Sequence, residues 1–148
     1  MLTFNSILRL SFLVALAGSL GSLYFSEVMK FPPCVLCWYQ RAFMYPLVFV
    51  FGTGLWRNDK AVWTYALPLA VFGLLIAGYH NLLYYDVISE GLVPCQKDLS
   101  CTTRQLELFG FITIPLMAFA GFLMFNILGL WSLYLGPSEK SEGVSYGQ

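Results

Sequence analysis

Charge is what this chain has least of. Lys, Arg, Asp and Glu together make up 11% of its 148 residues, less than half the ~25% usual in soluble domains. A soluble fold of this length has too much surface to cover with so few charged side chains. So apolar a chain is not a disordered one either. Neither sign is in excess: eight basic residues balance eight acidic ones. With no basic stripe, no nucleic-acid partner is expected. Histidine occurs once, and no internal repeat is evident. What fills the chain is apolar: 58%, counting Tyr and leaving out Gly, against about 45–50% in soluble domains. The simplest class is a small, all-α, polytopic membrane protein.

The charges fall in clusters, and the gaps between them have bilayer length. Charge-free stretches separate Arg9 from Glu27, Arg41 from Arg57, Lys60 from Asp86 and Glu107 from Glu139. A hydrocarbon core of about 30 Å takes about 20 helical residues. The second gap is short, and reaches that length only if the helix starts at Cys37, which puts Arg41 inside it. These stretches predict an integral membrane four-helix bundle over residues 1–136, with spans at about 8–26, 37–56, 61–85 and 108–135. A polar tail, 137–148, reads as disordered and cytoplasmic. Lipid allows little else, because every backbone N–H and C=O must be satisfied internally. Pro46, Pro68 and Pro115 fall inside the spans and kink rather than end them. Gly18, Gly21, Gly73, Ala77 and Gly121 permit close helix contact. Arg9, an apolar run and Ala15-Leu16-Ala17 also have the form of a secretory signal. The apolar character continues through Leu20, Leu23, Tyr24 and Phe25, however, and the first span is read as retained.

Basic residues barely orient the bundle. Arg9, Arg57, Lys60 and Lys140 fall on one side, and Lys30, Arg41, Lys97 and Arg104 on the other. Counting Arg41 as part of a helix leaves the first side ahead, hence cytoplasmic. The cysteines agree. Cys34, Cys37, Cys95 and Cys101 all fall in the two loops of the opposite face. Disulfides persist outside the cytoplasm. Both termini are therefore expected in the cytoplasm of a cell-membrane protein, with two extracytoplasmic cysteine loops. Four cysteines allow three pairings, of which pairing within each loop is the simplest.

The stretch from Pro32 to Arg41, PPCVLCWYQR, carries chemistry. Two prolines pre-set the chain for a helix to begin. Cys34 and Cys37 then share one face of its first turn, where unpaired N–H groups and the helix dipole favour a thiolate. Arg41 lies four residues beyond Cys37, and a permanent cation inside a span usually marks a function. The plainer reading of Arg41 is a side chain snorkelling from a helix end. His80 sits five residues before the end of its span, about 7.5 Å deep at the cysteine face. It could hydrogen-bond a quinone carbonyl or move a proton, or simply be satisfied by a neighbouring helix. Trp38, Tyr39, Tyr79, Tyr84 and Tyr85 read mainly as an interfacial belt. A four-cysteine zinc site is disfavoured by the wide spacing of Cys95 and Cys101, and no resident metal is expected.

The run Pro33-Cys34-Val35-Leu36-Cys37-Trp38-Tyr39-Gln40-Arg41, with a second cysteine pair before the fourth span, resembles the DsbB disulfide-bond formation proteins, and most of all their BdbC-type branch. The likeness covers about residues 10–135. It implies a protein-dithiol:quinone oxidoreductase that reoxidises a thioredoxin-fold thiol oxidase of the DsbA or BdbD kind. The electrons would pass through the disulfides Cys95–Cys101 and Cys34–Cys37 to ubiquinone or menaquinone of the respiratory pool. Cys95 would take the partner's thiolate, with Cys101 its disulfide partner. Cys34 would exchange with the second pair, and Cys37 would be the thiolate that meets the quinone. Arg41 matches the family's quinone-site arginine, and His80 its third-span histidine. The sequence departs from well-known members in a compact second loop and in Gln40, where an acidic residue is common. Two rival readings are a non-enzymatic scaffold with two structural disulfides and a quinone enzyme of the vitamin K epoxide reductase type. The latter would carry its C-x-x-C in the last core helix.

Overall fold

The computed structural model describes residues 4–30, 32–88, 107–108 and 112–134. Its helices are α1 (Phe4–Glu27), α2 (Val35–Arg57), α3 (Val62–Tyr84) and α4 (Ile114–Tyr134). They run up and down in turn, α1 against α2, α2 against α3 and α3 against α4. The α1–α4 seam that closes the ring is the sparsest of the four. The fold is an all-α membrane bundle. By length and composition α1, α3 and α4 can each cross a bilayer. Helix α2 has the same length but carries Gln40 and Arg41.

Each boundary has a local cause. Cys34 is the N-cap of α2, in extended conformation, and its sulfur accepts the Cys37 N–H, satisfying one orphan donor of the first turn. At the other end Asn58 adopts the left-handed conformation (φ 53°) and its N–H returns to the Gly54 carbonyl. Asparagine tolerates that region, so it serves as a helix stop. The Asp59 side chain then accepts from Ala61 N at 2.8 Å and turns the chain into α3. The fourth helix begins at Ile114, later than the expected 108. Residues Glu107–Leu108 (β1) and Ile112–Thr113 (β2) pair antiparallel instead. The Thr113 hydroxyl accepts from Leu116 N, and Pro115 in the first turn needs no hydrogen-bond acceptor there. Cys95, Cys101 and the tail 137–148 lie outside the described residues.

The core sits towards the end of the bundle opposite the cysteines. Phe51 of α2 packs edge-on against Trp63 of α3, 5.2 Å between centroids, and against Phe125 of α4 at 5.5 Å. Away from the cysteine end, two polar side chains in the spans return to their own helix: Ser11 donates to the Ile7 carbonyl, and Asn126 to that of Phe122. Asn81 does more, donating to Ala77 of its own helix and to the Pro115 carbonyl at 2.9 Å, which ties α3 to the start of α4. Tyr24, Trp38, Tyr39 and Tyr85 are exposed around the cysteine end, and Trp56, Trp131 and Tyr134 around the other. Two such girdles mark the interfaces of a membrane protein.

Close approach of α3 to α4 depends on Gly73. A Cβ there would lie inside the contact distance of the Phe122 ring, which is fully buried and cannot move aside. Gly21, by contrast, has nothing within 4 Å of a built Cβ. Gly73→Ala should therefore lower stability in detergent by about 1–3 kcal/mol, the usual cost of overpacking. Gly21→Ala should leave it unchanged or slightly raised. Equal thermal midpoints for the two variants would contradict this packing.

Candidate functional site

Four helix ends converge at the cysteine face: the last turns of α1 and α3 and the first turns of α2 and α4. Cys34 Sγ and Cys37 Sγ lie 2.8 Å apart. The expected Cys34–Cys37 disulfide is not formed here. The pair is a dithiol in sulfur contact. The first helical turn brings them together, since residues three apart share a face.

Behind the pair stands His80, 2% exposed. Its Nε2 is 3.8 Å from Cys34 Sγ, and its Nδ1 is 3.3 Å from Gln40 Nε2. With the Gln40 amide donating to Nδ1, Nε2 carries the ring hydrogen and points it at sulfur. Gln40 is itself buried. A neutral amide is far cheaper to hold there than a carboxylate would be. Cys34 precedes α2, and its thiol is held well below the ordinary range. The hydrogen bond from the Cys37 thiol does most of this, with His80 and the Cys37 backbone N–H adding to it and burial working against it. One proton is thus shared by two sulfurs, and Cys34 takes the charge.

On the other side of the pair lies a cavity of about 380 Å³ between α1, α2 and α4, lined by Cys37, Gln40 and Arg41. Gly18 and Gly21 of α1 and Gly121 of α4 keep its walls back. Arg41 donates from Nε to the Ser22 hydroxyl at 2.7 Å and from Nη2 to the Ser22 carbonyl at 2.8 Å. Its guanidinium also sits 5.5 Å from the centre of the Trp38 ring. A snorkelling side chain would run outward to water. This one is anchored across to α1 at the cavity wall. Tyr45, one turn deeper, also lines the cavity, and its buried hydroxyl has no hydrogen-bond partner among the described residues.

The structure therefore brings Cys34, Cys37, Arg41 and His80 to one end of the bundle but divides them. Arg41 and Cys37 face the cavity, whereas His80 does not line it and instead backs Cys34. Sequence reasoning passed over Gln40, Ser22 and Tyr45 as site residues. Gln40 had one legible signal, a polar residue next to Arg41 inside a span. Ser22 and Tyr45 had none, because their roles depend on which helix lies opposite.

Comparison with known proteins agrees with this arrangement. The family model described as disulfide bond formation protein DsbB matches residues 5–132. The chain is 46% identical over 135 residues to the probable disulfide formation protein C 2 of Bacillus anthracis, covering 91% of this chain and 93% of that one. It is 43% identical over 132 residues to the disulfide bond formation protein C of Bacillus subtilis (strain 168), covering 89% and 93%. A probable disulfide formation protein of Metapseudomonas resinovorans is 43% identical over 128 residues, covering 86% and 88%. No solved structure matches the chain. A dithiol capping a membrane helix, an adjoining apolar cavity and these relatives together place the chain in the DsbB family of disulfide bond formation proteins, multi-pass membrane oxidoreductases.

Proposed function

We propose that this protein passes electrons from an extracytoplasmic thioredoxin-fold thiol oxidase, of the DsbA or BdbD kind, to a membrane quinone. The observation that carries the reading is the placement of Cys37. It touches Cys34 on one side and, on the other, adjoins an apolar cavity bearing one cation. In this reading the bundle lies in the cell membrane with its cysteine end outside, where disulfides persist.

The cavity fits a flat, largely apolar ring with polar atoms at its edges. Its walls are apolar apart from the Arg41 guanidinium and a few neutral polar side chains, and Tyr45 brings a hydroxyl that lacks a partner. Arg41 and Tyr45 would hold the quinone oxygens. When bound, the quinone supplies a two-electron, two-proton acceptor, the same count that a dithiol gives up on closing to a disulfide. The protein's own residues prepare that exchange. Oxidised partner is regenerated as its dithiol yields two electrons to Cys95–Cys101, and thiol–disulfide exchange carries them to Cys34–Cys37. In the reduced pair Cys34 holds the charge, and Cys37 holds the proton it donates to Cys34. Two electrons are thus stored at the membrane edge with a single buried negative charge. Arg41, fixed by Ser22, offers positive charge where negative charge would develop. His80 acts on Cys34 and not on the quinone.

Four variants test this in protein purified in detergent with a short-chain quinone and a reduced thioredoxin-fold partner. Cys37→Ser should abolish quinone reduction followed by absorbance. A normal rate would remove the mechanism. Arg41→Ala should raise the quinone KM about tenfold or more, as loss of a charged hydrogen bond implies, and Tyr45→Phe should raise it severalfold. An unchanged KM in Arg41→Ala would leave that residue a strut between α1 and α2. His80→Gln should leave the quinone KM unchanged but alter the pH dependence of Cys34 alkylation, measured with Cys95 and Cys101 replaced by serine. Because His80 favours the ionised sulfur, reactivity is present above the thiol's depressed midpoint and is lost as pH falls through it. Removing the imidazole moves that midpoint upward. A raised KM with an unmoved midpoint would return His80 to the quinone.

A further inference from the structure

The site that handles electrons also has the makings of a metal site. Cys34 Sγ, Cys37 Sγ and a ring nitrogen of His80 all lie within 4.8 Å of one another. We propose that the reduced site captures a thiophilic divalent cation, zinc above all, as a Cys–Cys–His complex that locks the protein in its dithiol form.

The donor set is right in kind. Two thiolates and one imidazole are ligands that zinc prefers, and three protein ligands with an open fourth position is a common zinc arrangement. It is also nearly right in spacing. Tetrahedral zinc, with bonds of about 2.3 Å to sulfur and 2.0–2.1 Å to nitrogen, sets its sulfur and nitrogen ligands about 3.5 Å apart and its two sulfurs about 3.8 Å apart. Cys34 Sγ and His80 Nε2 already stand 3.8 Å apart. The sulfurs, at 2.8 Å, need to part by about 1 Å, which rotation of Cys37 towards the neighbouring cavity supplies.

The supporting groups fit as well. A ligating histidine almost always has its other ring nitrogen held by a second group that fixes the tautomer. Gln40 stands at His80 Nδ1. Turning its amide so that the oxygen accepts from Nδ1–H frees the Nε2 lone pair for the metal. Charge also balances. Arg41 opposes a bare cation at the cavity wall, but a divalent ion held by two thiolates makes a neutral unit. Coordination transfers no electrons. It displaces to solution the one proton shared by the two sulfurs, while the ring hydrogen of His80 passes from Nε2 to Nδ1. Closing the Cys34–Cys37 disulfide removes both sulfur ligands at once. The site therefore exists only in the reduced protein, and a bound ion withholds both sulfurs from exchange and from oxidation.

The test uses full-length protein in detergent with Cys95→Ser and Cys101→Ser, so that only the proposed ligands remain. Zinc is titrated against a chromogenic chelator, and cobalt(II) serves as a coloured stand-in. The expected result is one zinc per reduced chain, with Kd on the order of 1 µM or below, and a near-ultraviolet sulfur-to-cobalt band. Oxidising the pair should abolish both. His80→Ala should weaken zinc at least tenfold, and Gln40→Ala roughly tenfold, the usual effect of removing an outer-shell partner. Circular dichroism checks that each variant keeps its helices. Absence of stoichiometric zinc in the reduced protein, or binding that survives oxidation or is unaltered in a folded His80→Ala chain, overturns the proposal. None of these readouts needs turnover. The inhibition arm alone uses the chain with all four cysteines and rests on the proposed function: one equivalent of zinc should cut quinone reduction at least tenfold, reversibly on adding chelator. Zinc binding without any quinone activity would sink that function and leave the metal site standing. Full activity with zinc bound would refute the locking.

Discussion

The contact between two sulfurs at the mouth of α2 is what the rest of this structure serves. Cys34 and Cys37 meet because a helix starts between them, and the helix starts there because Pro32 and Pro33 end the preceding chain and Cys34 itself caps the turn. A sulfur used as an N-cap is unusual in kind but ordinary in logic. An orphan N–H needs an acceptor, and a thiolate is a good one. The same bond that begins the helix therefore also stabilises the ionised sulfur. Folding and redox chemistry share one interaction.

Around that contact the bundle separates two tasks. Helix α3 supplies His80, which with Gln40 keeps a proton beside Cys34. Helices α1 and α4 leave a space beside Cys37 into which Arg41 is steered by Ser22. Asn81, the neighbour of His80, fastens α3 to the first turn of α4, so the wall of the cavity and the histidine behind the sulfurs are set by adjacent residues on one helix. This division explains why His80 and Arg41, both near the cysteine end of the bundle, have different surroundings.

Much of this was legible in the sequence, for reasons that also mark the limits. Four spans could be read from the spacing of charges, because lipid excludes charge without regard to what the helices do to each other. Arg41 and His80 stood out because ionisable groups inside a span are expensive. The late start of α4 was hidden, since Leu108 and Ile112 are as apolar as the helix that follows and only Thr113 and Pro115 mark the boundary. Which face of each helix points inward was not legible. In a bilayer the outer face is as apolar as the core, so periodicity does not separate Leu13, which is exposed, from Leu8, which is buried. Ser22, Tyr45 and Gln40 follow from that inward-facing choice, and only packing reveals them.

The thin contact between the first and last helices has a kinetic meaning. A bundle sealed equally on all sides would oblige any oily passenger to come up through the headgroups and descend again. Here the weakest joint adjoins the cavity, so in the proposed function a quinone would move sideways, within the plane of the lipid. Exchange would then be paced by two-dimensional diffusion and by how often two loosely joined helices part. Stiffening that joint would slow the protein without touching a single reactive atom.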